Sequence, residues 1–365
     1  MRRGHGCYYL AASPAGEQQS DGIPQFFLPE KKITSSRNRT FLRQLVRDMS
    51  IDVVINQSGI DLPLIDLALS VRQQSVVISA HHGCVACLQK AHRSIVDHVF
   101  DRYHIPDWAR PEIFYSFLKA RSRSRTGRAF KLITSQCDRL VLLSQTFIPE
   151  LEIFGDGIDL ENVTAIPNPR PFDADPSAAR EKENVAIFVG RLVNQQKRVD
   201  RLLLIWKQIE SLHPDWRLEI IGDGPDRSWL EEMASRIGLL NVCFHGTRDP
   251  VPFYRKAKIL FLTSDLEGFG MVLVEAQAFS CVPIASACSG AISEVIENHS
   301  TGLVVPSHDI DGYVDAMQEL IGRSDGCIQR MASNALQARS RYSVETIADL
   351  WLELFDDLLE RRKSK

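Results

Sequence analysis

Short apolar runs alternate with amphipathic stretches along the second half of the chain. The runs that predict strands lie at residues 184–190, 218–221, 242–246, 259–263, 282–285 and 302–306. Continuous apolar runs of this kind are typical of strands that a parallel sheet buries on both faces. Between the runs, apolar residues recur at helical spacing, as in 199–212 and 310–321. The alternation predicts right-handed crossovers and a doubly wound parallel sheet, whose ligands bind outside the carboxyl ends of the strands.

The first half of the chain repeats this pattern more loosely. Four strands are predicted at residues 53–56, 76–79, 139–144 and 163–166, and the clearest helices at 41–49 and 113–137. Residues 167–183 hold four prolines and few large apolar side chains, which is a linker composition. Two sheets of similar build joined by a hinge predict a ligand cleft between two domains.

The pattern therefore predicts an α/β protein with two Rossmann-like domains. The first domain is expected at residues 1–172, the hinge at 173–183 and the second domain at 184–340. A final helix at 341–365 is expected to pack back on the first domain. Its basic end, residues 361–365, is interpreted as a surface tail or as a peripheral contact with the inner face of a membrane.

Composition narrows the class of protein. A chain of 365 residues with 44% hydrophobic and 24% charged residues is typical of a globular protein with two cores. The net charge of −3 gives no field that would draw the chain onto nucleic acid. No apolar run approaches the roughly 20 residues of a membrane span, and the amino terminus is too polar for a secretory signal. Eight cysteines without such a signal indicate free thiols and a cytoplasmic protein.

Two carboxylates frame a glycine-flanked turn in the second domain. Glu267 is expected on the loop after the fourth strand, where Gly268 and Gly270 let the backbone approach a ligand. The helix that begins near Phe269 presents free N–H groups and the positive end of its dipole, which suits a diphosphate. Glu275 lies about two turns further on and can accept hydrogen bonds from ribose hydroxyls. The alternative is that Glu267 is a helix-start carboxylate favoured by the helix dipole and that Glu275 is a solvated helix residue.

Two cations follow the first strand of the same domain. That strand ends at Gly190, which places Arg191 and Lys197 at the same edge of the sheet as Glu267. Two permanent positive charges would neutralise a pyrophosphate and the charge that grows on a departing nucleoside diphosphate. An exposed basic loop is the alternative, but the convergence of two separate segments on one edge favours a binding site.

These segments resemble the family-4 retaining glycosyltransferases, which have the GT-B fold. The matching segments are Gly190-Arg191 with Lys197, Gly222-Asp223-Gly224-Pro225, residues 254–264, Glu267 with Glu275, residues 283–286 and residues 302–305. They follow the order of the family across nearly all of residues 184–325. The first half resembles the family more thinly, at residues 51–54, 77–82, 137–144 and 166–169.

The resemblance assigns roles to individual residues. It implies that the donor diphosphate is bound by Arg191, Lys197, Gly268, Phe269 and Gly270, that the ribose is bound by Glu275, and that the catalytic residues are Glu267 and His82. Glu267 would contact the transferred sugar, and His82 would line the cleft near it from the first domain.

The resemblance also implies a reaction. A sugar would pass, with retention, from a UDP- or GDP-sugar to a hydroxyl of a glycan or glycolipid, in the synthesis of cell-surface polysaccharide. The family needs no metal and no cofactor, so that catalysis would consist of positioning and of stabilising the leaving group.

The chain departs from the family at two places. The family begins with a strand, a glycine-rich loop and a helix, whereas residues 3–10 resemble the end of that helix and the start of the second strand. The first domain is therefore expected to lack a central strand, which would leave a gap in its sheet. An upstream start and a damaged first domain are the two explanations. At the second place, Ser280 stands where the family usually turns on glycine.

Other motifs lead to weaker hypotheses. One group of side chains combines His81, His82, Cys84, Cys87 and His92. It lacks the second ligand pair of a zinc site and the context of a redox dithiol, so buried or cleft-lining thiols are favoured. The turn at 222–224 lacks the further glycine of a nicotinamide-binding motif. The basic stretch 110–131 is interpreted as a solvated helix face or as a cleft edge that recognises an anionic acceptor.

Two alternative functions follow from these departures. A non-catalytic subunit would keep the donor fold without turnover, as the missing first strand and loop would favour. A nucleotide-sugar epimerase would share the two-domain build but would convert the donor without an acceptor. The four charged residues Arg191, Lys197, Glu267 and Glu275 argue against the non-catalytic subunit, and the donor segment that resembles the family argues against the epimerase.

Overall fold

The computed structural model describes residues 5–12, 22–87, 112–173, 175, 177, 182–322 and 326–364, which form two α/β domains. The strands are β1 (Tyr9–Ala11), β2 (Gln25–Phe27), β3 (Val53–Asn56), β4 (Val76–Ala80), β5 (Arg139–Leu142), β6 (Val163–Ala165), β7 (Glu183–Val189), β8 (Arg217–Ile221), β9 (Val242–Gly246), β10 (Ala257–Leu262), β11 (Val282–Ser286) and β12 (Leu303–Val305). The described α-helices are α1 (Ser36–Asp48), α2 (Leu62–Leu69), α3 (Glu112–Gln136), α4 (Phe147–Glu150), α5 (Asn194–Lys197), α6 (Val199–Leu212), α7 (Arg227–Arg236), α8 (Val251–Lys256), α9 (Met271–Ala278), α10 (Gly290–Val295), α11 (Ile310–Gly322), α12 (Cys327–Ala338) and α13 (Val344–Lys363).

The second domain contains a six-stranded parallel sheet in the order β12-β11-β10-β7-β8-β9. The chain adds strands outwards from β7 to β9 and then returns to β10, on the other side of β7. The neighbours β7 and β10 are therefore the topological switch point, where ligand crevices form in open sheets. The expected doubly wound sheet is confirmed.

Helix α6 shows why these segments fold as they do. Its apolar residues repeat at helical spacing, and Leu202, Trp206 and Ile209 are buried against the sheet. Burial of side chains of this size stabilises the fold by roughly 1.5–3 kcal/mol each. From α11, the buried Tyr313 donates a hydrogen bond to the Leu262 carbonyl at 2.7 Å, so that its polar end is also satisfied.

A buried ammonium group ties the other face of this sheet together. Lys182, which precedes β7, donates from Nζ to the carbonyl oxygens of Tyr254, Ala257 and Phe279 at 2.7–2.8 Å. Burial lowers the pKa of Lys182 to about 8. The single side chain thus joins the ends of α8 and α9 to the start of β7 and β10.

The first domain contains a four-stranded parallel sheet in the order β3-β4-β5-β6. Strands β1 and β2 pair with each other, and no ladder among the described residues joins them to the larger sheet. A gap in the sheet of the first domain would produce this division into two sheets.

The carboxyl-terminal helix crosses back to the first domain. Ile347 and Leu358 of α13 are buried with Ile78 of β4, and Arg362 donates to the carbonyl oxygens of Arg72 and Ser75 at 2.9 and 3.0 Å. The basic end is therefore largely helical and partly engaged rather than a simple tail. The chain is extended at Ser343, whose side chain caps the start of α13 by accepting a hydrogen bond from the Thr346 N–H. No helix in the described ranges is both long enough and apolar enough to cross a bilayer.

Candidate active site

Two of the predicted site residues meet at the switch point of the second sheet. Lys197 ends the single-turn helix α5 after β7, and Glu267 lies on the loop after β10. Lys197 Nζ is 2.6 Å from Glu267 Oε1. Only 18% of the Lys197 side chain and 9% of the Glu267 side chain are exposed, so the ion pair is shielded from most solvent. Loss of either partner would leave an uncompensated charge in a confined place.

Neutral groups also hold Glu267. Ser264 donates to Glu267 Oε1 at 2.7 Å, and its own carbonyl accepts a hydrogen bond from Ser286 Oγ at 2.5 Å. Two neighbouring strands, β10 and β11, therefore fix the carboxylate. The second oxygen, Oε2, has no hydrogen-bond partner within the described part of the chain, and it is the oxygen that a ligand can use.

The turn at residues 222–224 packs against the cation loop, which comprises residues 190–197 and carries Arg191 and Lys197. A Cβ on Gly222 would lie 1.9 Å from the carbonyl oxygen of Gly190, and one on Gly224 would lie 2.4 Å from that of Leu192. Leu192 donates its N–H to the Asp223 carbonyl at 2.9 Å. Only glycine permits so close an approach of two backbones. These glycines therefore shape the cation loop.

The turn after Glu267 ends in a left-handed glycine. Gly270 has φ 77° and ψ 52° and precedes α9, which is why the helix begins at Met271 and not at Phe269. The first turn of α9 leaves backbone N–H groups without intrahelical partners at the positive end of the helix. The ring of Phe269 is buried against Tyr342, so only its backbone is available to a ligand.

Glu275 is half-buried on α9 and is held by a neighbouring tyrosine. The Tyr254 hydroxyl donates to Glu275 Oε2 at 2.8 Å. Burial raises the pKa of Glu275, and this hydrogen bond partly opposes the rise. Tyr254 is itself buried and stacked on Phe279, and its burial and the Glu275 charge raise its pKa, so that it remains a donor. The sequence alone gives no role for Tyr254, because no local pattern links α8 to α9.

Arg191 is the most exposed of the predicted donor-binding cations. Its guanidinium has no hydrogen-bond or ion-pair partner among the described residues. Lys197 Cε would lie 3.8 Å from a Cβ placed on Gly190, the residue before Arg191. The two cations therefore flank one backbone turn, although only Lys197 contacts an acid.

The first domain contacts the loop after β10, which carries Glu267 and Gly268, through the segment that follows β4. A Cβ on Gly268 would lie 2.9 Å from the His82 carbonyl oxygen, so the two domains touch here. The ring of His82 is exposed, and its Nε2 lies 2.5 Å from Gln57 Oε1. Desolvation lowers the pKa of His82, and a hydrogen bond with Asn168 opposes the shift, so the ring is neutral near pH 7. The adjacent His81 is buried, which lowers its pKa to about 4.

The cysteines beside His82 correct one expectation. Cys84 and Cys87 form a disulfide, whereas free thiols are expected from the sequence. Their tight turn places the two Cα atoms 5.1 Å apart, within the range that a disulfide spans. Cys87 Sγ is 3.9 Å from the Glu267 carbonyl oxygen, so the disulfide forms part of the cleft wall. His92 lies outside the described residues. The free cysteines of the described chain are Cys7, Cys137, Cys243, Cys281, Cys288 and Cys327.

An open pocket of about 200 Å³ adjoins His82 in the first domain. Its wall includes Gln57, Asn168 and Trp351, the last of which comes from α13. An indole beside amide and imidazole groups offers both an apolar surface and hydrogen-bonding partners, as a sugar ring requires. No local sequence pattern indicates this pocket, because its residues come from five separate segments of the chain.

The basic stretch of the first domain lies on α3. Arg121, Arg123, Arg125 and Arg128 are exposed, as expected for a solvated helix face. Arg110 lies outside the described residues. The recognition of an anionic acceptor by this face stays a prediction.

Comparisons with known proteins place this site in context. Residues 169–337 match the family Glycosyl transferases group 1. An uncharacterized glycosyltransferase of Haemophilus influenzae is 26% identical over 239 residues, which cover 65% of this chain and 66% of that protein. The GalNAc-alpha-(1->4)-GalNAc-alpha-(1->3)-diNAcBac-PP-undecaprenol alpha-1,4-N-acetyl-D-galactosaminyltransferase of Campylobacter jejuni is 28% identical over 225 residues, 61% of each chain. The chain thus spans less than two thirds of the length of either relative.

A solved structure shows the same architecture. HepE of Anabaena, in complex with UDP and glucose, superimposes with a TM-score of 0.68 at 18% identity, over 92% of this chain and 86% of that one. At this identity the likeness shows the fold alone, and it confirms the expected two-domain GT-B architecture.

Proposed function

We propose that this chain, which belongs to the group 1 glycosyl transferases through residues 169–337, moves a sugar from a nucleoside-diphosphate sugar to a hydroxyl of a glycan or glycolipid. The observation that carries the proposal is the shielded ion pair of Lys197 and Glu267 at the switch point, beside the free N–H groups of α9. Ligands of open parallel sheets bind at such points. The cations and the helix terminus match the charge of a diphosphate.

The geometry supports separate roles for the cations, Glu275 and Glu267. Arg191, Lys197 and the first turn of α9 bind the diphosphate, and they stabilise the charge that grows on it as the glycosidic bond to the leaving oxygen breaks. Glu275, oriented by Tyr254, accepts hydrogen bonds from the ribose. The free oxygen of Glu267 faces the sugar and positions it. Catalysis then consists of placement and electrostatic stabilisation.

Retention of configuration and independence from metal ions extend this proposal. Glu267 is already engaged by Lys197 and Ser264, which favours a positioning role over attack on the anomeric carbon. The two fixed cations serve the role that a metal ion would have on the leaving group. NMR of the product should show the anomeric configuration of the donor, and transfer should not depend on added Mg²⁺ or Mn²⁺. An inverted product, or transfer that EDTA abolishes and that Mg²⁺ or Mn²⁺ restores, would contradict this part.

The acceptor and the cellular place are inferred from the relatives. The Campylobacter jejuni enzyme is named for an undecaprenol-linked glycan, and the HepE structure holds UDP and glucose. A UDP-sugar donor and a lipid-linked glycan acceptor are therefore proposed here, in cell-surface polysaccharide synthesis at the cytoplasmic face of the membrane. The pocket beside His82 and the exposed arginines of α3 support an acceptor with sugar and anionic groups.

Calorimetry with UDP, GDP and ADP tests the donor site directly. Lys197→Ala and Glu275→Gln should each weaken nucleotide binding by about tenfold or more, because each removes hydrogen bonds that involve a charge. Lys207→Ala and Glu232→Gln change exposed residues of α6 and α7 and should bind as the wild type does. Equal affinity in all four variants would overturn the site.

Turnover separates the proposed function from the alternatives. The protein should release UDP from UDP-glucose or UDP-N-acetylglucosamine, or GDP from GDP-mannose, in the presence of a lipid-linked glycan acceptor. Nucleotide binding without turnover of any donor would instead identify a non-catalytic subunit. Conversion of the donor sugar without an acceptor would identify an epimerase.

A further inference from the structure

A second cluster of reactive side chains lies at the edge of the six-stranded sheet, on β8 and β9, and the strand β7 separates it from β10. The edge strand β9 pairs in parallel with β8, and this register places Glu219 opposite Cys243. Side chains alternate between the faces of a strand, so Cys243 and His245 share one face of β9. The intervening Phe244 packs into the core beneath the opposite face. The register therefore gathers a carboxylate, a thiol and an imidazole on one partly open surface.

The three side chains converge on one point. One potential ligand atom from each of Glu219, Cys243 and His245 lies within 4.8 Å of the other two. Bond lengths of about 2.0–2.3 Å in a tetrahedral zinc site place neighbouring ligand atoms about 3.3–3.8 Å apart. The present separation therefore differs from a zinc-binding arrangement by small side-chain rotations, without any movement of the strands.

Outer contacts direct two of the ligand atoms toward this point. Arg217 Nε donates to Glu219 Oε1 at 2.9 Å, which leaves Oε2 to face His245 Nε2. The ring of Phe253 packs on the His245 ring with centroids 4.7 Å apart. Contacts of this type commonly orient the side chains that bind a metal ion.

The donor set selects the kind of ion. Sulfur and nitrogen ligands suit zinc, whereas Mg²⁺ and Ca²⁺ prefer oxygen ligands throughout. A thiolate and a carboxylate together balance the charge of one divalent cation. Zinc binding would replace the thiol proton of Cys243 and release that proton to solvent.

We propose that Glu219, Cys243 and His245 bind one Zn²⁺, with a water molecule in the fourth position, and that the ion fastens the edge strand β9 to β8. Three protein ligands and one open position are a common zinc arrangement. This role is structural and separate from sugar transfer, which the proposed mechanism assigns to residues after β7 and β10. Failure of either proposal leaves the other intact, because zinc binding is measured without nucleotide.

Metal content of the untagged protein tests the proposal. After equilibration with Zn²⁺ and dialysis at neutral pH, the wild type should retain about one zinc per chain. Cys243→Ser and His245→Asn should each lower the zinc affinity by about tenfold or more. Cys7→Ser, which removes another exposed cysteine, should leave it unchanged. The assignment would be overturned by a wild-type protein that retains no zinc. It would also be overturned if the double variant Cys243→Ser, His245→Asn kept its zinc.

Two further measurements use the wild type alone. Zn²⁺ should protect Cys243, but not Cys7, from alkylation, as read by mass spectrometry. Co²⁺ should produce a thiolate-to-metal absorption band in the near ultraviolet. Alkylation of Cys243 at the same rate with and without zinc would refute the site even if the variants failed to fold.

Discussion

The turn between α9 and β11 carries a measurable strain. Ser280 has φ 58°, in the left-handed region, and only 1% of the residue is exposed. Its hydroxyl is buried and has no hydrogen-bond partner among the residues that the structure describes. A residue with a Cβ pays about 1–2 kcal/mol in this conformation. An orphaned buried hydroxyl costs a further 1–3 kcal/mol, roughly. We therefore expect Ser280→Gly to stabilise the second domain.

The expected gain follows from opposing contributions. Relief of strain and loss of the unpaired hydroxyl are partly offset by about 0.5–1 kcal/mol, because glycine has more freedom in the unfolded chain. The lost packing of one methylene costs about 0.8 kcal/mol. The free energy of unfolding should therefore rise by roughly 1–3 kcal/mol. In a domain of this size, each kcal/mol raises the Tm by about 2–4 °C.

Ser280→Ala separates the two contributions to this gain. Alanine removes the hydroxyl but keeps the Cβ at the same φ, so its gain of about 1–3 kcal/mol comes from the hydroxyl alone. The step from alanine to glycine relieves about 1–2 kcal/mol of strain and costs about 1.3–1.8 kcal/mol in chain freedom and packing, so the two variants should agree to within about 1 kcal/mol. Urea titrations of the three proteins, followed by circular dichroism, measure the difference. An alanine variant no more stable than wild type would refute the hydroxyl contribution, and a glycine variant less stable than the alanine variant by more than about 1 kcal/mol would refute the strain contribution.

Three further predictions test other contacts. Lys182→Met leaves three carbonyl oxygens without their donor and should lower the free energy of unfolding by about 3 kcal/mol or more in a urea titration. Tyr254→Phe removes a hydrogen-bond donor to Glu275, so the pKa of this carboxyl should rise further. UDP binding needs the ionised carboxylate. As the pH is lowered, calorimetry should therefore show that the variant loses UDP binding at a higher pH than the wild type does. An unchanged pH profile would contradict the ribose role. Gly222→Ala forces a Cβ against the cation loop and should reduce both UDP affinity and Tm, whereas a Cβ on Gly322 meets no described atom within 4 Å, so that Gly322→Ala should lower neither.

Local sequence patterns are sufficient to predict the architecture of the second domain and the segments that carry Lys197 and Glu267. Apolar runs and helical spacing predict the strands and helices of the second domain. The predicted and observed elements differ mainly at the ends of the helices. The start of α9 is one such error, because it depends on the left-handed backbone of Gly270. The cleft-side segments around Lys197 and Glu267 were also predicted, since each follows a recognisable strand and contains its own turn residues.

The sequence by itself determined which elements form and at which edge of the sheet the charged segments end, because hydrophobic periodicity and turn chemistry act between near neighbours. Only the tertiary structure decided which side chains touch. Lys197 and Glu267 are 70 residues apart and meet because the chain returns to place β10 beside β7. The same holds for the hydrogen bond from Tyr254 to Glu275 and for the carboxylate, thiol and imidazole of β8 and β9. Such contacts depend on strand order, register and side-chain packing across the whole domain, which no local pattern records.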